Sequence, residues 1–507
     1  MIFNSYPFLL IFLPSVLAGF FLIGAWDSRL APIWLTLASF AFYAWWDYRF
    51  IPLIGASIIW NYAAGRSLLL FARHRSAILF TAIAGDLGLL GYFKYVGFFL
   101  GTIDGALGTS FGPFDIVLPL GISFFTFTQI AFIVDAARGE VRDFNFVRYA
   151  LFVTYFPHLI AGPILHHREI IPQFALPSTY RLQANHVAVG IAFFVVGLAK
   201  KCVIADSFSP DAASAFSAAA CGGMLSAPIA WKGALAYTLQ LYFDFSGYTD
   251  MAIGVSRMFN IRLPFNFNSP YKSASIIDFW RRWHMTLARF LRDYIYFPLG
   301  GNRRGAARRN VNVLVTMLLC GLWHGAGWTF VIWGGLHGLY LIVNRGWWMI
   351  KPSRAIERLP SRLRTAIATA ITFFAVLVAW VFFRAADIPS AFRMLAAMTG
   401  AYGFTPPAPP AVYGDFDLLM LGLGASGVFI RSASALFYAA ALFVVFAMPN
   451  TQDLIEPDRL LPGADRLSST IPIQWSASLS WAIICALLMG TSLMTFSHVS
   501  EFIYFQF

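Results

Sequence analysis

The chain has 507 residues, 59% hydrophobic and only 12% charged, with 52 phenylalanines, a mean hydropathy of +0.67 and a formal net charge of +12. Few soluble domains have this composition, which excludes an ordinary water-soluble enzyme and points to a membrane-embedded chain. The positive charge does not indicate nucleic acid, because the basic residues fall in short clusters between apolar runs, as in the cytoplasmic loops of membrane proteins.

Apolar runs near 7–25, 30–46, 51–65, 77–100, 118–134, 185–199, 228–243, 366–383, 433–448 and 473–495 approach the length of a spanning helix. At about 20 residues per crossing they predict about ten to twelve membrane segments, some short or broken. The first run follows Met-Ile-Phe-Asn and ends in Trp26-Asp27-Ser28-Arg29, with no basic leader region and no small-residue cleavage site. It reads as a retained helix. Arg66, Arg73 and Arg75 form one basic cluster and Arg138, Arg142 and Arg148 a second, whereas the loop 101–117 holds Asp104 and Asp115 but no Lys or Arg. Placing the clusters inside and that loop outside puts the amino terminus outside, and the first five segments then alternate.

Farther along, Pro157 and the Gly162-Pro163 step mark a helix break or re-entrant turn. His158 and the adjacent His166 and His167 surround it, with Glu169 the nearby carboxylate. Adjacent histidines do not face one site on a helix, so no metal is expected there. Cys202, Cys221, Cys320 and Cys485 have neither CxxC nor Cys/His spacing and support neither zinc nor disulfides. The element Asp244-Phe245-Ser246-Gly247-Tyr248-Thr249-Asp250 gathers two acids, two hydroxyls and a phenol at the end of an apolar run. Asp244, Ser246 and Tyr248 can line a passage; alternatively Asp244 and Asp250 pair with Arg257, Arg262 or Lys272 and fix the fold.

Ser275-Ile276-Ile277-Asp278 reads as a capped helix start. Over 279–293 Phe279, Trp280, Trp283, Leu287, Phe290 and Leu291 share one arc, and Arg281, Arg282, Arg289 and Arg292 the other. This predicts a helix lying in the membrane interface, with Asp278–Arg282 and Arg289–Asp293 spaced to pair and His284 at the edge of the apolar arc. Arg303, Arg304, Arg308 and Arg309 form a third basic cluster and the stretch from Arg345 to Arg364 a fourth, so both flanks of 311–344 read as cytoplasmic. Two crossings need roughly 40 residues and this stretch has fewer, with Gly321, Gly325, Gly327, Gly334 and Gly335 inside it. Short or broken helices are expected.

That stretch contains Cys320-Gly321-Leu322-Trp323-His324-Gly325-Ala326-Gly327-Trp328. Fourteen residues past Asn310, about 21 Å of helical rise, His324 is expected at membrane depth near a helix break. An ionisable side chain there is costly and by default a functional candidate. Cys320, one turn earlier, can share its face but reads as a packing residue. His337 lies roughly 220° from His324 on a continuous helix and is not expected to share its orientation.

Several ordered pieces resemble the membrane-bound O-acyltransferase family in its alginate O-acetylation branch. They are PLGISFFTF at 119–127, YFPHLIAGPI at 155–164, LYFDFSGYTDMAIG at 241–254, LPFNFNSPY at 263–271, FWRRWHMTLARFLRDYIYFPLGGNRRG at 279–305, GLWHGAGWTFVIWGGLHG at 321–338 and FIYFQF at 502–507. The resemblance implies an all-α polytopic membrane protein, one domain over 1–507, with broken or re-entrant helices around a central tunnel. It implies an acetyltransferase in which His324 is essential and His284 is the second family position. It further implies a cytoplasmic acetyl donor, acetyl-CoA or another, as substrate with no bound cofactor, and a bacterial inner-membrane location. Partners are then the bilayer, an acyl donor protein and a periplasmic acetyltransferase or polysaccharide-modifying protein, but no nucleic acid.

The chemistry of the residues agrees. Acyl transfer to a hydroxyl needs a base and donors for the developing oxyanion, and neutral histidine suits the first task. His324 is expected as general base, with an acyl-histidine intermediate less favoured; His284 orients or polarises, and Trp323 and Trp328 wall out water. Lys200, Lys201, Arg303, Arg304, Arg308 and Arg309 suit donor phosphates or an acidic carrier, although topology alone explains them. GNRRG at 301–305 lacks the context of a P-loop. The rival readings are a polysaccharide or lipid transporter, for which no half-chain repeat is visible, and a noncatalytic scaffold. The longest stretches outside the apolar runs, 385–415 with Pro406, Pro407, Pro409 and Pro410 and 449–472, are expected to be an external and an internal loop.

Overall fold

A computed structural model describes residues 1–111, 116–141, 143–347, 359–405, 427–456, 473–496 and 503, with backbone alone for 427–433. The prolines at 406–410, most of 449–472, most of the terminal FIYFQF, Asp115, Arg142 and most of the fourth basic cluster lie outside these residues. Among those described, every regular element is helical, and the protein is an all-α polytopic membrane protein. Pro7–Trp26, Ala72–Leu107, Ala184–Ala220 and Ser361–Arg384 are long and apolar enough to cross a membrane, and Ile388–Met398, Ser434–Ala447 and Leu479–Met494 are shorter apolar helices.

The chain divides into two units, Met1–Val195 with Tyr248–Phe265, and Val196–Gly247 with Asn266–Phe507. In the first, the apolar runs become Leu13–Trp26, Ala31–Asp47, Ile51–Leu70, Arg75–Leu90 and Ile122–Arg138. Each avoids exposing backbone groups to hydrocarbon by closing its hydrogen bonds within the helix. The expected break is present: Phe156–Leu159 is a single turn, and 160–166 are buried without helical structure. Irregular backbone of this kind is tolerated where protein encloses it. The helix Ala184–Ala199 meets Ala227–Met258 at Gly190 and Gly254, where a β-carbon on either would lie within 2.6 Å of the other's carbonyl oxygen. Only glycine permits that approach. A cavity of about 320 Å³ is lined by residues that include Arg29, Asn145, Arg148 and Tyr180, so the Arg29 loop, which alternation puts on the same side as the second basic cluster, meets that cluster's loop.

In the second unit the stretch 311–344 corrects the sequence expectation. The expected break follows His324, at Gly325–Gly327, but the helices on either side are not short. Gly305–His324 and Trp328–Trp347 are two helices of 20 residues each, about 30 Å of rise. The missing length comes from drawing Arg308, Arg309 and Arg345 into the helices. The pair packs backbone to backbone, because a β-carbon at Gly321 would sit 2.2 Å from Phe330 O and one at Gly334 2.2 Å from Met317 O.

The interfacial helix over 275–293 is also corrected. It is two helices, Ile276–Arg282 and Met285–Leu291, with His284 between them in the left-handed region, φ 43° and ψ 53°. The expected cap is there, Ser275 Oγ accepting from Asp278 N–H at 3.1 Å, and Arg282 pairs with Asp278 at 2.8 Å. Arg282 is nevertheless buried and not on an exposed polar arc, and Asp293 takes Arg292 at 2.7 Å.

Candidate active site

His284 is fully buried at the kink, in a backbone conformation that costs a non-glycine residue about 1 kcal/mol. Strain of this kind persists only where surrounding contacts impose it. Asn266 supplies them. Its backbone carbonyl accepts from Met285 N–H at 2.9 Å, and its Oδ1 accepts from Thr286 N–H at 3.2 Å and from the Thr286 hydroxyl at 2.9 Å. His284 Nδ1 lies 3.0 Å from the same Oδ1.

These bonds fix a tautomer. A backbone N–H can only donate, so the Asn266 atom facing it is the amide oxygen. An amide oxygen only accepts, so His284 carries its hydrogen on Nδ1, and in the neutral ring Nε2 presents a lone pair. That Nε2 is buried without a hydrogen-bond partner among the described residues.

His324 is the last residue of Gly305–His324, buried at the sharp exit into Gly325. Its ring centroid is 6.4 Å from that of His284, 4.9 Å from Trp323, 5.1 Å from Trp333 and 5.2 Å from Phe383. Phe245 closes on His284 edge-to-face at 4.8 Å. Two imidazoles forty residues apart in sequence thus share one aromatic enclosure. The break at Gly325–Gly327 also undoes the expectation for His337, which assumed one continuous helix. His337 is fully buried and its ring is 4.8 Å from Trp333, the same indole that meets His324.

Other candidates separate. Trp323 is buried beside both histidines, whereas Trp328 is 50% exposed and does not wall the site from its surroundings. Asp244 pairs with Lys201 at 2.9 Å, a partner the sequence did not suggest; Lys201 also binds Asp206 at 2.7 Å, and Asp244 Oδ2 accepts from Ile503 N–H at 3.0 Å. Lys201, buried in this triad, is therefore withdrawn as a donor-phosphate ligand. Ser246 is buried, and Tyr248 stacks on Phe3 at 5.0 Å. Arg303, Arg304 and Arg308 remain exposed, and Arg309 is half-buried. Cys320 is fully buried, as a packing residue is. His158 Nε2 bonds to Phe152 O at 2.9 Å, His167 pairs with Asp135 at 3.3 Å, and Glu169 caps the turn at His166. No metal-ligand cluster is present among the described residues.

Sequence reasoning missed Asn266, Trp280, Trp333 and the placement of His337. Asn266 lies in the Phe-Asn-Phe-Asn run, but nothing in that run says which asparagine faces a histidine.

An all-α membrane protein with a buried histidine pair in an aromatic enclosure has the make-up of a membrane-embedded acyltransferase. The model of the membrane-bound O-acyltransferase family matches residues 119–387, which hold every member of this enclosure, and the chain belongs to that family. It is an acyltransferase. It is 41% identical over 432 residues to the peptidoglycan O-acetyltransferase of Helicobacter pylori, covering 80% of each chain. With a probable alginate O-acetylase of Pseudomonas putida the identity is 37% over 526 aligned positions, 100% of each. A teichoic acid D-alanyltransferase of Bacillus subtilis is 29% identical over 270 residues, 52% of this chain and 67% of that one.

Proposed function

We propose that the protein is an O-acetyltransferase of a bacterial inner membrane. It moves an acetyl group from a cytoplasmic donor, acetyl-CoA or an acylated carrier, to a periplasmic acceptor in exopolysaccharide O-acetylation of the alginate or cellulose kind. The observation that carries the reading is the buried pairing of His284 and His324, one of them holding a lone pair fixed by Asn266. The donor side is the face of Arg303, Arg304, Arg308 and Arg309, at the opposite end of the Gly305–His324 helix from the imidazole. A helix of that length spans the hydrocarbon core, about 30 Å.

In the reaction the acceptor hydroxyl oxygen attacks the acyl carbonyl carbon while His324 takes the hydroxyl proton. The tetrahedral intermediate then expels the donor's leaving group, which recovers that proton from the imidazolium. His284 Nε2 accepts a hydrogen bond that orients the reacting group. The aromatic walls exclude water, which would otherwise divert the acyl group to hydrolysis.

The acceptor has a second reading, peptidoglycan, favoured by the Helicobacter relative. Proteoliposomes holding the purified protein and a periplasmic partner transferase, given radiolabelled acetyl-CoA outside and either alginate oligosaccharide or muropeptide inside, separate the two. His324-dependent label on one acceptor is expected. A well-folded His324→Ala protein with full transfer, or binding of donor and acceptor without turnover, overturns the enzymatic reading in favour of transport or scaffolding.

A further inference from the structure

The His337 ring is also locked, with the opposite polarity to His284. The indole Nε1 of Trp280 lies 3.2 Å from His337 Nδ1. An indole nitrogen can only donate, so Nδ1 accepts, and the neutral ring carries its hydrogen on Nε2. That Nε2–H is buried with no hydrogen-bond partner among the described residues. The Trp333 indole Nε1–H is in the same condition. Both residues are fully buried. Their rings are 4.8 Å apart, and Trp333 meets His324 edge-to-face at 5.1 Å.

Two unpaired donors in one enclosure are costly unless something accepts from them. His284 thus presents an acceptor and His337 and Trp333 present donors, and the rings of His284 and Trp333 both lie against that of His324. Acyl transfer generates negative charge on one atom, the former carbonyl oxygen, and preorganised donors in a dry site stabilise it most.

We propose that Trp333 Nε1–H and His337 Nε2–H are the oxyanion donors of this acyltransferase, with Trp280 as the positioning residue that holds the His337 tautomer. The proposal rests on the acyl-transfer reading of His324. As the acceptor oxygen bonds to the acyl carbon, the carbonyl π electrons move to its oxygen, which the two donors hold. The electrons return as the bond from carbon to the donor's sulfur breaks, and the proton taken by His324 goes to that sulfur.

The test uses the full chain in proteoliposomes with radiolabelled acetyl-CoA and the acceptor that the wild type labels. Trp333→Phe keeps the ring and removes the N–H; kcat is expected to fall on the order of 100-fold with KM for acetyl-CoA little changed. His337→Leu should fall as far and His337→Gln, which keeps an N–H near the same place, should recover a large part. Trp280→Phe should lose less than either, since it frees the tautomer without removing the donor. Melting temperature in detergent accompanies each variant, and Trp333→Phe decides if His337→Leu fails to fold. Full kcat in folded Trp333→Phe and His337→Leu, with His324→Ala inactive, overturns the oxyanion assignment alone. Transfer by His324→Ala removes the underlying reading as well.

Discussion

Asn266 holds His284 in place through an oxygen that three donors share. Replacing it with leucine strands the Thr286 N–H and frees the His284 ring to rotate, at a cost of about 1–3 kcal/mol in stability. Acetyl transfer should fall at least tenfold, read as turnover beside a thermal melt; an Asn266→Leu protein with unchanged turnover separates Asn266 from the chemistry. Lys201 supplies a second residue-scale expectation. It is the shared cation of Asp206 and Asp244, and removing one partner of a buried pair leaves an uncompensated charge. Lys201→Met should destabilise the protein by about 3–5 kcal/mol, and adding Asp244→Asn should restore part of it. A double-mutant cycle on melting temperatures measures this coupling; additive losses mean the triad does not act as a unit. His324 itself was legible in the sequence, because a polar group inside an apolar run has to be explained. The lock on His284 was not, since Asn266 is eighteen positions away and reaches it only through the kink.

At the scale of elements, the helical pair Gly305–His324 and Trp328–Trp347 sets the position of the site. Gly321 and Gly334 let the two backbones touch, and a methyl at either has backbone atoms in its way, which do not yield as a flexible side chain does. Gly321→Ala should spread the pair at a cost of about 1–3 kcal/mol, and should lower transfer by shifting His324 three residues on. A crystal or cryo-EM structure of the variant with the helices unmoved, or a melt identical to wild type, contradicts this. The sequence showed the glycines and the break after His324, but it underestimated the lengths of the two helices. Hydropathy ends a membrane segment at the first arginine, whereas a helix continues while its hydrogen bonding holds, here taking in Arg308, Arg309 and Arg345. The kink at His284 escaped for a related reason: periodicity over 279–293 is continuous, and only the pairing of 266–268 with 282–285 breaks the helix there.

For the whole molecule the decisive property is sidedness. If the basic clusters are cytoplasmic, a cysteine placed at Ser76 should react with membrane-impermeant maleimide only from the cytoplasmic face, and one at Ser110 only from the other, in a Cys221→Ser background. Both positions are exposed. The reverse labelling inverts the proposed direction of acetyl transfer. Exchanging Arg303, Arg304, Arg308 and Arg309 for glutamine should raise the KM for acetyl-CoA about tenfold with kcat kept, as expected of phosphate-binding cations. An unchanged KM leaves those arginines with topology alone. Composition, hydropathy and the ordered motifs were enough to establish an all-α membrane acyltransferase and to single out His324 and His284 as candidates, because these signals are local and survive in one dimension. Which polar atoms meet was decided only by the tertiary structure. Asp244 and Lys201, the His284 tautomer and the inclusion of His337 all depend on close approaches between segments distant in the chain, where hydrogen-bond polarity, and not residue type, sets the chemistry.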